Sequence, residues 1–131
     1  MYIKKSPSGA LSPYYYKGGY FHGMHFGSYV DDMTALFAMM TKEEEFIMKS
    51  PEKRRIMIEF FQTNLTSEML VSFADFIERL NSRIIKIAVS ADKKMLKAIQ
   101  KALGNTSLGY GQMYFTPDME EGKTWLVGES Q

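Results

Sequence analysis

The residues that could do chemistry are few. His22 and His25 are the only histidines, and they lie three apart in the segment YYYKGGYFHGMHFG. On a strand an offset of three sends two side chains to opposite faces, so one ion cannot take both without a bulge at Gly23. Two imidazoles also fall short of the three or four ligands of a usual metal site, and neither a metal nor any other cofactor is expected. The absence of cysteine excludes disulfides, thiolate nucleophiles and cysteine-bound clusters. No G-x-S-x-G, G-x-x-x-x-G-K-S/T or H-E-x-x-H pattern occurs, which disfavours the familiar hydrolases and nucleotidases. An enzyme would need polar groups that only the fold brings together, and His25 with Glu59 is the pair to examine.

Aromatic residues make the other concentration of chemistry. Tyr14, Tyr15, Tyr16 and Tyr20 with Phe21 and Phe26 form the densest aromatic stretch, and strand alternation must turn some of them from the core. That pattern suits a homodimer or other protein interface, or a pocket for an apolar small molecule, with His22 and His25 beside it. An ordinary sheet face with a hairpin explains the same residues. Eleven methionines offer adaptable packing, most of it core by its spacing. Lys93, Lys94, Lys97 and Lys101 share one helix face that water alone accounts for, although an acidic partner would also fit.

The elements that hold these groups follow from periodicity. Tyr14–Tyr16 and Tyr20–Phe26 read as a hairpin closed by Gly18 and Gly19. Ser28 opens a helix signature whose apolar stripe runs through Met33, Leu36, Phe37, Met40, Phe46 and Ile47, with Glu43, Glu44 and Glu45 facing water and Pro51 ending it. Ile56–Phe61 is a short apolar run read as a buried strand. Thr66 is the expected N-cap of a helix from about Ser67, whose face Met69, Leu70, Phe73, Phe76, Ile77 and Leu80 is the clearest in the chain. Arg83–Ser90 has the β-branched character of an interior strand, and Asp92–Leu103 follows as a helix closed by Gly104. Met113–Phe115 is a brief strand before a last short helix that Thr116-Pro117 starts and that ends near Trp125 and Leu126.

Alternating strands and helices predict an α/β fold with a mostly parallel sheet of four or five strands. At 131 residues and 45% apolar content the chain fits one domain, expected over 14–127 between a loose N-terminal tail, 1–13, and a short polar tail, 128–131. A net charge of +1 argues against a nucleic-acid partner. The absence of an apolar leader and of any stretch near the roughly 20 residues that cross a bilayer predicts a cytoplasmic protein with no membrane span.

From Tyr20 to Leu126 this alternation resembles the STAS domain, the fold of anti-sigma factor antagonists and sulfate-transporter tails, and most closely its small stand-alone SpoIIAA-like bacterial branch. The best local likeness is Tyr114-Phe115 followed by Glu120-Glu121-Gly122-Lys123-Thr124-Trp125-Leu126, similar to the branch's aromatic strand and closing helix, with Gly122 in place of a small alanine. The resemblance implies a non-catalytic regulatory or protein-interaction module. In phosphorylated members a serine of an Asp-Ser-Ser/Thr-Gly turn accepts the phosphate, and Ser67 aligns with it, while Thr66 stands for the aspartate and Glu68 for the glycine. Ser67, with Thr66 and Thr63, is thus the implied switch; the free N–H groups of a helix start favour a phosphate and Glu68 opposes it. The alternative readings are a carrier of a lipid or other apolar small molecule and, third, an enzyme.

Overall fold

The computed structural model describes residues 3–128. Two short strands, β1 (Lys4–Lys5) and β2 (Leu11–Ser12), pair antiparallel ahead of the main sheet. That sheet contains β3 (Tyr14–Tyr16), β4 (Gly19–His25), β5 (Arg54–Glu59), β6 (Ile84–Ser90) and β7 (Met113–Phe115), side by side in chain order. β3 and β4 form the expected hairpin, with Tyr14 opposite Phe21, and the turn uses left-handed Lys17 and Gly18. The pairs β4–β5, β5–β6 and β6–β7 are all parallel. The result is an α/β fold with a mostly parallel five-stranded sheet.

Helices α1 (Met33–Met48), α2 (Ser67–Leu80) and α3 (Lys93–Leu103) make the three crossovers, and α4 (Met119–Val127) follows β7. Because the strand order never reverses, crossovers of one hand deliver α1, α2 and α3 to the same face. Strand alternation then divides the interior in two. Met24, Phe26, Ile56, Ile58, Phe60, Ile87 and Val89 pack with those three helices in the larger core. Phe21, Met57 and Ala88 point the other way and meet Leu126 of α4. Each helix start has a side-chain cap, Asp32, Thr66, Asp92 or Asp118 accepting from a backbone N–H in the first turn. None of the four helices is long and apolar enough to cross a membrane, among the described residues.

Four expectations need correction. The first helix starts at Met33 and not near Ser28, because Ser28 and Val30 hold left-handed conformations (φ 68° and 53°) and Asp32 supplies the cap. Glu43 does not face water: it is fully buried in α1. Asp118, not Thr116-Pro117, caps the last helix, and Thr116 bonds to Glu121 instead. The stretch read as a loose N-terminal tail is tied down as far as it is described: Ser6, Ser12 and Pro13 are buried and β2 sits against β4. Residues 1–2 of that tail and 129–131 of the C-terminal tail lie outside the described residues.

Candidate functional site at the two ends of the parallel strands

The two histidines fall on opposite faces of β4, as their spacing requires. His22 turns toward α1 and is 1% exposed. Its ring stacks on Phe46 at 5.3 Å, Nδ1 lies 2.7 Å from Ser12 Oγ, and Nε2 lies 2.8 Å from Glu43 Oε1. Ser8 donates its hydroxyl to the other oxygen of Glu43. Arg54 Nη1 donates to Ser12 Oγ at 3.4 Å, and an arginine has no lone pair to offer in return. These contacts form one chain, from Arg54 to Ser12, from Ser12 to His22 and from His22 to Glu43, which also accepts from Ser8. The connectivity is that of a hydroxyl, a base and an orienting acid. Ser12 is only 3% exposed, however, which leaves little of it for a substrate to meet. The chain ties β2, β4 and α1 together.

This tie forms the floor of an open cleft of about 500 Å³ at the N-terminal ends of β4 and β5. Tyr20, Phe46 and Pro13 supply apolar wall. Lys49, Lys53, Arg54 and Arg55 bring positive charge, and Glu52, 3.5 Å from Arg54 Nη2, is the carboxylate that lines it. Arg54 Nε and Arg55 Nε are both buried without a hydrogen-bond acceptor.

The opposite end of the same strands is acidic and strained. Backbone bonds lace the loop after β4 to the loop after β5: Ser28 N donates to Phe61 O, Val30 N to Gln62 O and Asn64 N to Val30 O. Ser28, Val30 and Gln62 are held at φ 68°, 53° and 62°, where residues with a side chain are disfavoured. Thr63 is buried between the loops, donating to Phe26 O at 2.6 Å and accepting from Tyr29 N. Its hydroxyl is a structural tie. Thr66 caps Met69 N at 3.0 Å, whereas Ser67 is exposed in the first turn of α2 beside Glu68. Val30, 53% exposed, and Leu65 set apolar surface among Asp31, Asp32, Asn64 and Glu68.

His25 reaches this end on the face covered by α4. Its Nδ1 is 3.4 Å from Glu59 Oε2, so the pair anticipated from sequence does meet. The hydrogen bond to Glu59, reinforced by the charges of Glu59 and Glu43, raises His25 above its ordinary value of 6.5, against burial, which lowers it. Glu59 also accepts from Gly27 N and Phe61 N, holding both loops. A Cβ on Gly27 would fall on the Glu59 carboxylate and the Phe61 carbonyl oxygen, which explains glycine there. Tyr14, Met57, Met119 and Lys123 join His25 around a cleft of about 220 Å³. That is below the roughly 300–1,000 Å³ of ordinary ligand pockets.

The tyrosines divide. Tyr16 is bound within the chain, its hydroxyl 2.7 Å from Glu120 and its ring against Phe21. Tyr14 leans on Phe21, and Tyr20 pairs with Tyr15 across the hairpin, each partly exposed. Sequence reasoning missed Ser8, Ser12, Glu43 and the basic run from Lys49 to Arg55. A signal for the last existed: KSPEKRR places four cations in seven residues, which a chain-wide net charge hides. Comparison with protein-family models, with curated proteins and with solved structures finds no match to this chain.

Proposed function

We propose that this chain is a non-catalytic regulatory module, STAS-like in architecture, that works by binding a protein partner at the C-terminal ends of β4 and β5 and the start of α2. The observation that carries the reading is the pair of laced loops with left-handed Ser28, Val30 and Gln62. Backbone strain of this kind costs of order 1–3 kcal/mol per residue and persists where the surrounding structure over-determines it, often at binding sites. Ligands of parallel α/β sheets also gather at the carboxyl ends of their strands. Val30 and Leu65, set among acidic side chains, suit a partner that presents an apolar residue with basic neighbours. Ser67 stands exposed at the edge of this face, where a phosphate would add negative charge close to Glu68 and strengthen the attraction to a basic partner.

A photo-crosslinking amino acid at Val30, in protein expressed in its own cells, tests the reading. The expected result is a discrete adduct that persists or gains in yield when Ser67 is changed to Glu and falls when Ser67 is changed to Lys, with no adduct from the same probe at Lys101 on the outer face of α3. No adduct at Val30, or an equal yield at Lys101, overturns it.

A further inference from the structure

The basic cleft at the other end of the sheet has no part in that reading, and its chemistry is distinct. Four cationic side chains from one short segment line about 500 Å³ of open space, with Glu52 the opposing carboxylate. Mutual repulsion among such groups is unfavourable unless an anion answers it. Arg54 and Arg55 each keep a buried Nε–H without an acceptor, and a buried donor in that condition is costly until something accepts from it. Guanidinium groups present planar donors that match phosphate oxygens. The volume lies well within the range of small-molecule sites, and the wall of Tyr20, Phe46 and Pro13 offers contact to an organic group beyond the anion. The floor is rigid, because Ser12 is fixed by His22 and Arg54, and His22 by buried Glu43 and the Phe46 ring.

We propose that this cleft binds a phosphomonoester carried on an apolar or planar organic group, with Arg54 and Arg55 as its phosphate donors and Lys49 and Lys53 as the charges that draw it in. The ligand is either a free metabolite or a lipid headgroup, and the two sources separate experimentally.

The test uses the full chain with two probes. Adenosine monophosphate, with adenosine as its uncharged control, is followed by calorimetry and by thermal shift. Vesicles of phosphatidylcholine with and without phosphatidic acid are followed by sedimentation. The expected result is saturable binding of one phosphomonoester probe, a rise in Tm with its concentration, and no response to adenosine or to phosphatidylcholine alone. Arg54→Gln removes the binding. Because Arg54 also packs on Phe46 and its loss can disturb folding, Lys49→Glu with Lys53→Glu serves as a second variant at exposed positions. It is expected to keep the parent Tm without ligand and to weaken binding at least about tenfold through charge reversal. Failure of both phosphomonoester probes, an equal response to adenosine, or unchanged affinity in the doubly reversed variant overturns the proposal.

Discussion

Replacing Glu43 by alanine tests the physical account of the buried tie. Glu43 is fully buried on α1 and accepts two hydrogen bonds, from His22 Nε2 and from Ser8 Oγ. Truncation strands both donors. A buried donor without an acceptor costs about 1–3 kcal/mol, and half-buried Ser8 can turn partly to water, so the two together come to about 2–5 kcal/mol. A domain of this size holds about 5–15 kcal/mol in all, and the loss is therefore a large share of it. At roughly 4 °C per kcal/mol the Tm falls by roughly 8–20 °C. Glu43→Gln keeps one acceptor oxygen but turns an amide N–H₂ toward the other donor, and should fall between the parent and the alanine variant. Urea denaturation followed by circular dichroism measures each variant. A double-mutant cycle with His22→Ala should give a coupling energy of about 1–3 kcal/mol, since each residue's cost is largely the stranding of the other. A loss under about 1 kcal/mol for Glu43→Ala, or additive effects in the cycle, refutes the assignment of the tie.

Further predictions concern the other end of the sheet and α4. His25 has a raised value in the folded chain, so its contribution to stability is fully present below about pH 6.5 and fades as pH climbs through the raised value. An NMR titration of the His25 ring should return toward the ordinary value in Glu59→Gln; no change would mean that Glu59 is not the cause. Thr66→Ala should cost about 1 kcal/mol as a lost cap, while Ser67→Ala should stay within about 0.5 kcal/mol, both by chemical denaturation. Gly27→Ala should destabilise by about 1–3 kcal/mol or more because the Glu59 carboxylate and the Phe61 carbonyl occupy its Cβ position. Gly122→Ala should be neutral or stabilising by up to about 1 kcal/mol. Its Cβ meets the flexible Met57 thioether at 3.3 Å and Ala88 Cβ at 3.4 Å, which Met57 can relieve.

The main elements were legible because their periodicities are strong. The apolar face of α2 with its Thr66 cap, the β-branched run of β6 and the paired tyrosines of the hairpin all lie close to their expected places. Opposite placement of His22 and His25 followed from strand geometry alone. What escaped was set by tertiary partners. A glutamate opening the run Glu43-Glu44-Glu45 looks like solvated helix surface, and only contact with His22 and Ser8, far away in the chain, makes burial of Glu43 favourable. Ser28 looked like a helix cap because the left-handed backbone there is imposed by bonds to the loop after β5, which local propensity does not contain. His25 and Glu59 met because β4 and β5 pair in parallel with these two residues in register. The basic cleft failed to register because its cations were averaged against acids elsewhere in the chain.

The separation of charge along the strands gives the molecule a permanent electric axis. Lys49, Lys53, Arg54 and Arg55 crowd one pole, while Asp31, Asp32, Glu59 and Glu68 mark the other. A body with a net charge of only +1 drifts weakly in an electric field, yet the field turns it so that these poles align. Encounters with a charged surface then begin already oriented, a bias that fades as added salt shortens the screening length to about 10 Å and below. On ion-exchange resins of either sign, such a protein is held at low ionic strength by whichever pole the resin opposes.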